Sequence, residues 1–393
     1  MRKYVLLFAN RFASLIKRLS PMSKNMRQSF PLIRNQLRWR KHGLSILMLL
    51  FSVITFAQGI YDGPYVSYEG GKIWKRTVEN GAADKSELKE GMVHVNFADP
   101  KLNYTVLLKK SLQNEPAVYD QPKKMFVVSD IEGEFMGFRK LLIANKVIDE
   151  QYNWIYGKGH LVICGDLFDR GLAVTETIWL IYRLEELAKK AGGYVHTILG
   201  NHDIMNLSGD LRYVQPKYME SAKLMGLEYM SLFSKSSELG RWLRTKNTIE
   251  KIGDNLCMHA GVSPVINELG YTIEQINDLC RPFYDQVKML QGVGDKKIDP
   301  FFMGTSSLFW YRGYFFEPKA SEADVSKTLQ VFNVKRIIVG HTIVKGNVAF
   351  YYGGKVLGID VDRHGDDHQA AVFENGEWFA VNVRGERRTI KNQ

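Results

Sequence analysis

Five apolar runs follow one another from residue 123 onward, and each of them ends in polar residues. Segments with apolar residues at helical spacing separate the runs, and the clearest such segment spans 174–193 and ends in glycines. Apolar strands that alternate with helices indicate an α/β fold with buried sheets. Because the carboxyl ends of such strands are where these folds place their sites, the polar ends form the candidate site. The runs are MFVVSD, HLVICGD, VHTILGNHD, NLCMHAG and RIIVGHT.

Residues 58–122 show a different pattern, in which short β-like stretches are separated by Gly and Asn/Asp clusters. This pattern predicts a small β-rich lead-in that contains no group of catalytic residue types. Its expected role is packing, with added edge strands or a shaped entrance as the alternative. The predicted division is a basic leader at 1–57, the lead-in at 58–122, the α/β domain at 123–385 and a tail at 386–393.

The net charge of +11 is distributed unevenly along the chain. Residues 1–57 contain no Asp or Glu, so all 42 acidic residues lie beyond them and are balanced there by Lys and Arg. The excess positive charge therefore belongs to the leader and not to the folded domain. Because the folded domain has no excess positive charge, a nucleic-acid partner inferred from charge is excluded.

The leader has the features of a targeting segment. A basic stretch, RNQLRWRKHG, precedes the apolar run at 44–57, which is shorter than the roughly 20 residues of a membrane span. Thr55-Phe56-Ala57 before Gln58 fits a signal-peptidase site, so we expect an exported protein, periplasmic or extracellular. One alternative is an anchor formed by uncleaved residues 44–57, which would be the only membrane contact. The other is an organellar transit peptide.

The polar ends of the apolar runs contain the residue types of a two-metal centre. Two divalent metals about 3.5–4 Å apart need a bridging carboxylate, with oxygen or nitrogen ligands on either side. A metal-rich loop at 360–368 is expected to be solvated and not to form a third metal site. We assign Asp166 as the bridge, Asp130 and Glu132 to the first metal, and Asn201, His259 and His341 to the second.

Three further residues near these ligands suit the transfer of a proton and the binding of an anion. His202 can protonate a leaving oxygen, and Asp169 can orient and charge that histidine. Arg170 offers a planar fork of N–H donors for phosphate oxygens. The three cysteines, Cys164, Cys257 and Cys280, are too few for a disulfide framework, and we expect the first two to be buried core thiols.

The order GDLFDRG, GNHD, HAGVSP and GHT resembles the calcineurin-like metallophosphoesterases, and within them the phosphoprotein phosphatase group. The stretches GGYVHTILGNHDIMNLSGDLRYV and SLFWYRGY are similar to the bacterial Shewanella-like phosphatases. The resemblance covers about residues 123–385. It implies a four-layer sandwich in which two β-sheets are flanked by helices.

The resemblance also implies a function. It predicts a dinuclear-metal phosphatase that hydrolyses phosphomonoesters of phosphoproteins or phosphopeptides by direct attack of a metal-bridging hydroxide. Mn²⁺ is the expected metal, with Fe, Zn²⁺ or Mg²⁺ as alternatives. If the protein is exported, small phosphate esters become substrates to consider. The alternatives are a phosphodiesterase or dinucleoside polyphosphate hydrolase with the same centre, and a non-catalytic descendant that binds metal or phosphate.

The resemblance further implies a second phosphate-binding arginine. Arg312, in FWYRGY, is the first choice. Arg281, in CRPFYD, is the competitor, since it follows a predicted helix in a similar place in the eukaryotic relatives.

The sequence departs from the family at two positions. The family usually has Asp-x-His at the first motif, where this chain has Asp130-Ile131-Glu132. Glu132 is expected to be a ligand that favours Mn²⁺ or Mg²⁺ over Zn²⁺, because it makes the first site all oxygen. The alternatives are a role outside the metal's ligands, with water in the gap, and a degenerate site. The second departure, Asp203 in place of the usual Glu of GNHE, is milder.

Overall fold

The computed structural model describes residues 59–288, 291–361 and 368–393, and Gly59–Gln393 form one compact unit. The leader, with its predicted signal peptide and its anchor and transit-peptide alternatives, lies outside the described residues. So do residues 362–367 of the polar loop at 360–368, whose solvation stays a prediction. Within the described part, none of the helices is long and apolar enough to cross a membrane.

The strands of the described chain group into two six-stranded sheets, one three-stranded sheet and one two-stranded ribbon. They are β1 (Asp62–Glu69), β2 (Lys72–Glu79), β3 (Ala82–Glu87), β4 (Met92–Val95), β5 (Tyr104–Leu107), β6 (Val118–Tyr119), β7 (Lys124–Val128), β8 (His160–Cys164), β9 (Tyr194–Ile198), β10 (Ile249–Ile252), β11 (Asn255–Met258), β12 (Arg336–Val339), β13 (Ala349–Tyr351), β14 (Val356–Gly358), β15 (Gln369–Glu374), β16 (Glu377–Asn382) and β17 (Arg387–Thr389).

The α-helices connect these strands and cover the sheets. They are α1 (Phe135–Ala144), α2 (Val174–Lys190), α3 (Asn201–Ser208), α4 (Pro216–Leu224), α5 (Glu238–Leu243), α6 (Pro264–Glu268), α7 (Ile273–Cys280), α8 (Asp299–Phe302) and α9 (Glu322–Val331).

The two large sheets each contain a parallel core. In the first sheet, ordered β17-β16-β15-β7-β8-β9, strands β7, β8 and β9 run parallel. In the second, ordered β13-β14-β12-β11-β10-β6, strands β11, β12 and β14 run parallel. The carboxyl ends of each parallel set therefore meet at one edge of its sheet, which is where the predicted site residues begin.

Both faces of the parallel strands are buried, and this explains why their sequences are apolar without interruption. On β7, Met125 and Val127 pack in a cluster whose members come from both large sheets, whereas Phe126 and Val128 pack in the cluster that contains the helices. Burial of each large aliphatic side chain contributes about 1.5–3 kcal/mol. Cys164 and Cys257 lie in the cluster between the sheets, and the prediction that they are buried thiols is confirmed.

The lead-in packs against α2 and also extends the second sheet. The indole N–H of Trp179 donates to the carbonyl of Pro64 at 2.7 Å, and the hydroxyls of Tyr65 and Thr175 are 2.9 Å apart. Strand β6 pairs in parallel with β10 as an edge strand. At the other end of the chain, the segment 386–393, for which the sequence predicts a tail, contributes β17, which pairs with β16.

The predicted fold class is confirmed: the described chain is a mixed α/β fold with several sheets and an N-terminal β-rich segment. The predicted helix at 174–193 corresponds to α2, whose last residue is Lys190. Gly192 follows with φ of 77°, a left-handed conformation that glycine adopts without the steric cost of a side chain.

Candidate active site

The candidate site forms where the parallel strands of both large sheets end. Each predicted metal-binding motif closely follows a strand, in the loop after it or, for GNHD, at the start of α3, so the sheet fixes where its side chains begin. Asp130 and Glu132 follow β7, Asp166 and Asp169 follow β8, Asn201 and His202 follow β9, His259 follows β11 and His341 follows β12.

Several of these residues have a left-handed backbone, which is costly for residues other than glycine. The φ angles are 48° at Asp130, 59° at Asp166 and 63° at His341. Hydrogen bonds between the loops hold this geometry: the N–H of Asp130 donates to the carbonyl of Gly165 at 2.9 Å, and the N–H of His341 donates to the Asp130 carboxylate at 3.1 Å. Such strained residues cluster at functional sites, where the surrounding structure over-determines them.

Asp166 and His259 form the centre of the site. The Nε2 atom of His259 lies 3.2 Å from a carboxylate oxygen of Asp166 and 2.8 Å from Oδ1 of Asn201. Its Nδ1–H donates to the carbonyl of Cys164 at 2.9 Å, which fixes the orientation of the ring. Burial disfavours the charged imidazole, but the carboxylates of Asp166 and Asp130 and the hydrogen bond to Cys164 together outweigh burial and raise the pKa of His259 to about 9.

His341 presents an uncharged ring to the same place. Burial and the nearby His259 hold the pKa of His341 well below its ordinary value. Within the described chain, its Nε2 atom is buried and has no hydrogen-bond partner. A buried polar atom without a partner is costly, and a neutral imidazole nitrogen is a common metal ligand. The ligand atoms of Asp166, His259 and His341 all lie within 4.8 Å of one another.

A second group of potential ligands shares Asp166 with the first. The ligand atoms of Glu132, Asp166 and His202 lie within 4.8 Å of one another, and the Glu132 carboxylate also contacts the guanidinium of Arg170. Asp166 therefore belongs to both groups, as a bridging ligand would. The oxygen and nitrogen donors of these groups, buried except for the half-buried Glu132, fit divalent metals of the Mn²⁺, Fe²⁺ and Zn²⁺ type.

Two glycines make room for the carboxylates of this centre. A methyl group added at Gly200 would overlap the Asp166 carboxylate, and one added at Gly340 would overlap the Asp130 carboxylate. Asp130 lies outside both ligand groups, and its carboxylate accepts the N–H of His341. The glycines of GNHD and GHT are thus required by close approach to acidic side chains.

His202 and Asp169 form a buried pair at the edge of the centre. The Nδ1 atom of His202 is 2.6 Å from Oδ2 of Asp169, so its Nε2 atom is free to face Asp166, 4.0 Å away. Burial lowers the pKa of His202, but Asp166 and Asp169 outweigh burial, and the net shift is upward.

The structure adds two residues to this pair that the sequence reasoning missed. The side-chain amide of Asn206 donates to Oδ1 of Asp169 at 2.8 Å, and its carbonyl oxygen accepts the hydroxyl of Tyr229 at 2.6 Å. Asn206 lies four residues after His202 on α3, so helical spacing could have identified it. Tyr229 carries no comparable local signal.

The two candidate arginines occupy very different surroundings. Arg312 donates to the carbonyl of His341 at 2.8 Å, and burial lowers its pKa although Asp130, Asp360 and Asp166 act on it in the opposite direction. Arg281 instead donates to the carbonyl of Glu115 and to the side chains of Asn247 and Asp278. Arg312 thus lies next to the candidate site, whereas these contacts tie Arg281 to the packing of the domain.

A cavity of about 720 Å³ opens beside Arg312 and Asn201. Its walls are largely aromatic and apolar, which suits a substrate with an organic group larger than a phosphate ion. Lining residues include Ile204, Phe302, Phe309, Trp310, Tyr311 and Phe316.

Comparison with known proteins gives consistent results. The family model described as calcineurin-like phosphoesterase matches residues 123–345. Shewanella-like protein phosphatase 2 of Arabidopsis thaliana is 24% identical over 320 residues, which cover 68% of this chain and 80% of the relative. Shewanella-like protein phosphatase 1 of Plasmodium berghei (strain Anka) is 27% identical over 243 residues, 57% of this chain and 63% of the relative.

Solved structures extend the similarity to most of the chain. The crystal structure of a cold-active protein-tyrosine phosphatase of a psychrophilic Shewanella species covers 84% of this chain and 99% of its own, with 34% identity and a TM-score of 0.77. Residues 123–393 are 271 of the 393 residues, about 69% of the chain, so a match that covers 84% also includes part of the chain before residue 123.

Proposed function

Because the chain belongs to the calcineurin-like phosphoesterase family and is a hydrolase of phosphoric esters, we propose that it is a phosphatase that acts on phosphomonoesters with the help of two divalent metals. The observation that supports this most strongly is the pair formed by His202 and Asp169 beside the shared ligand Asp166. It combines a proton donor with a metal-binding carboxylate at one point.

The described side chains fit two metals that share Asp166, the residue common to both ligand groups. Glu132 and Asp166 would hold the first metal, with Asp130 added as the sequence predicts. Asp166, His259 and His341 would hold the second, with Asn201 added because its Oδ1 lies 2.8 Å from Nε2 of His259. Mn²⁺ is favoured at the oxygen-rich first site. When bound, the metals would supply Lewis acidity and lower the pKa of a bound water.

The protein's own residues supply the proton and part of the charge neutralisation. Asp169 fixes the Nδ1–H of His202, so the Nε2–H is presented toward the leaving oxygen and can protonate it. Arg170 and Arg312 place two guanidinium groups around the site, and each can bind phosphate oxygens through paired N–H groups. Two such cations match the dianion of a monoester better than the single charge of a diester.

The proposed substrates are phosphoproteins or phosphopeptides. Two arguments support this class: the relatives compared above are described as protein phosphatases, and the cavity beside Arg312 has room and apolar walls for a side chain. A small phosphate ester would leave most of that cavity unused.

The test is a phosphatase assay on metal-depleted protein to which single metals are returned. We expect p-nitrophenyl phosphate to be hydrolysed with Mn²⁺ and bis-p-nitrophenyl phosphate to be hydrolysed more slowly. His202→Asn should lower kcat about 10²- to 10⁴-fold. His94→Asn, at an exposed position of the lead-in, is the matched control. Faster turnover of the diester, or full turnover in His202→Asn, would contradict the proposal.

A further inference from the structure

The amide side chain of Asn206 joins the two members of the candidate acid pair. Its nitrogen donates one hydrogen bond to Oδ1 of Asp169, at 2.8 Å, and another to the backbone carbonyl of His202, at 2.9 Å. The other carboxylate oxygen of Asp169 accepts the Nδ1–H of His202 at 2.6 Å. Both oxygens of Asp169 are therefore engaged, and the carboxylate cannot rotate away from the imidazole without breaking these bonds.

Tyr229 fixes which way round this amide lies. The ionised carboxylate of Asp169 and the carbonyl of His202 can only accept hydrogen bonds, so the NH₂ group of Asn206 must face them. The amide oxygen is then left to accept a bond, and the hydroxyl of Tyr229 supplies that bond at 2.6 Å. Asn206 and Tyr229 are 1% and 5% exposed, so these bonds form away from bulk water and hold the pair firmly.

The place of Tyr229 is set by packing that reaches the lead-in. Tyr229 begins a short 3₁₀ helix, Tyr229–Phe233, and its ring centroid lies 5.9 Å from that of Phe233. The ring of Phe233 also lies 5.9 Å from that of Tyr65 on β1 and 4.8 Å from that of Phe168, which directly precedes Asp169. Phe233 thus packs against both the tyrosine and the segment that carries Asp169.

We propose that Asn206 and Tyr229 are positioning residues for the proton transfer, which hold Asp169 so that the Nε2–H of His202 stays directed at the leaving oxygen. The inference rests on the proposed function, since it assumes that His202 protonates that oxygen. Both residues act through Asp169 and not on the phosphate. Their loss should therefore weaken the protonation of the leaving group and leave the binding of phosphate and of metal in place.

The need for a proton depends on how basic the leaving oxygen is. Phenolate, which leaves phenyl phosphate, is far more basic than dinitrophenolate, which leaves 2,4-dinitrophenyl phosphate and departs without a proton. A misplaced His202 therefore lowers turnover of the phenyl ester and spares the dinitrophenyl ester. A defect in folding or in metal binding lowers turnover of both esters, so the comparison separates a positioning role from a structural one.

The kinetic experiment measures kcat and KM for both esters, with Mn²⁺, in wild type and two variants. Asn206→Leu keeps the size of the side chain and removes its donors, and we expect its kcat on phenyl phosphate to fall about 10-fold, with a change of less than about 2-fold on the dinitrophenyl ester. Tyr229→Phe should show the same pattern with a loss of about 3-fold. KM and metal content should stay as in wild type.

Tyr284→Phe is the matched control for Tyr229→Phe. The hydroxyl of Tyr284 is also buried, and it donates to the backbone carbonyl of Lys246 at 2.9 Å, outside the candidate site. The control variant should change kcat on neither ester.

A proton spectrum of the Zn²⁺-loaded protein gives a readout that does not depend on turnover. The Nδ1–H of His202, held by Asp169, should give a downfield resonance that is assigned by its loss in His202→Asn. The Nδ1–H of His196, 2.7 Å from Glu250, provides an internal reference. We expect the His202 resonance to move or broaden in Asn206→Leu, whereas that of His196 stays in place.

The outcomes separate the inference from the proposed function. A selective loss on phenyl phosphate, with an altered His202 resonance, supports the positioning role. Equal losses on both esters, or no loss, would overturn it while His202→Asn still shows a selective loss. If Asn206→Leu does not fold, Tyr229→Phe decides in the same way, because it removes a single hydroxyl. Equal losses in His202→Asn itself, or a wild type that hydrolyses neither ester, would refute the proposed function and the inference with it.

Discussion

The carboxylate of Asp203 accepts hydrogen bonds from the backbone N–H groups of Asp166, at 3.1 Å, and of Leu167, at 2.8 Å. It also accepts the N–H of Gly200 at 2.7 Å. Asp203 is fully buried in the first turn of α3. A side chain that seemed a mild departure in GNHD therefore holds the backbone of the shared metal ligand in its left-handed conformation.

We predict that Asp203→Ala lowers the free energy of unfolding by about 2–4 kcal/mol, because four backbone donors, the N–H groups of Asp166, Leu167, Phe168 and Gly200, lose their acceptor. Turnover should fall as well, since Asp166 loses its support. Asp203→Glu keeps a carboxylate and should retain more stability and activity than the alanine variant. Denaturant unfolding and kcat of the three proteins provide the check, and an alanine variant as stable as wild type would contradict the prediction.

Much of the fold follows from the sequence because buried parallel strands are apolar over their whole length. Strands β7, β8, β9, β11 and β12 were predicted for this reason. Strand β3 was missed, since its sequence AADKSE is mostly exposed and lacks large apolar residues. The apolar sequence pattern of β10 is interrupted by Glu250, a buried acid whose carboxylate lies 2.7 Å from Nδ1 of His196. Only the tertiary structure reveals that pairing.

The sequence alone identified candidate site residues where a motif closely follows a strand, as for Asp166 and His259. It did not identify residues that act through distant contacts, since Tyr229 reaches the pair of His202 and Asp169 only through Asn206. The sequence also left Arg281 as a competitor of Arg312, because Arg281 follows a predicted helix in a similar place in the eukaryotic relatives. Their contacts, and not their local sequence, separate them.

Glu132 contacts Arg170 and lies within reach of Asp166, so both a ligand role and a role in holding the arginine are consistent with its position. We predict that Glu132→Ala lowers the metal content by about one equivalent per chain. Glu132→His should keep both metals, shift the preference toward Zn²⁺ and move the activity optimum to lower pH than in wild type.

Metal analysis of protein dialysed against defined Mn²⁺ and Zn²⁺, with pH–rate profiles, distinguishes the two roles of Glu132. Glu134→Ala is the control, because Glu134 is an exposed acid two residues away whose side chain makes no capping hydrogen bond. If Glu132→Ala keeps its full metal content, Glu132 is not a ligand. A change confined to phosphate affinity would then assign it to Arg170.

For the arginines we predict opposite consequences of the same substitution. Arg312→Ala should raise the inhibition constant of inorganic phosphate about 10- to 100-fold, the effect of one lost charged hydrogen-bond donor. Arg281→Ala should leave that constant unchanged and lower the melting temperature, because it leaves the carbonyl of Glu115 and the side chain of Asn247 without their donor. A shift of phosphate inhibition in Arg281→Ala, with none in Arg312→Ala, would reverse the assignment.

A buried acid beneath the lead-in makes stability depend on pH. Glu176 is 2% exposed, and one of its carboxylate oxygens has no hydrogen-bond partner within the described residues. Burial, with a further contribution from Asp62, raises its pKa from 4.5 to about 7, although Lys217 at 3.5 Å opposes the shift. The folded protein therefore binds a proton at this group more tightly than the unfolded chain does.

The sign of the effect follows from linkage. Below pH 4.5 Glu176 is protonated in both states, and its contribution to stability is fully present. As the pH rises from about 4.5 to about 7, Glu176 ionises in the unfolded chain but stays protonated in the folded protein, so the folded protein loses stability. Glu176→Gln cannot ionise, and we expect it to exceed wild type at pH 8 by on the order of 2 kcal/mol but to match it near pH 4.5.

Thermal unfolding of both proteins between pH 4.5 and 8 measures this difference. Glu186→Gln on the same helix is the matched control, since its side chain is 43% exposed and should give a difference that does not vary with pH. If the gap between Glu176→Gln and wild type stays constant across that range, Glu176 does not titrate on folding. A gap that opens between pH 5 and 7 identifies it as the group whose ionisation destabilises the contact between α2 and the lead-in.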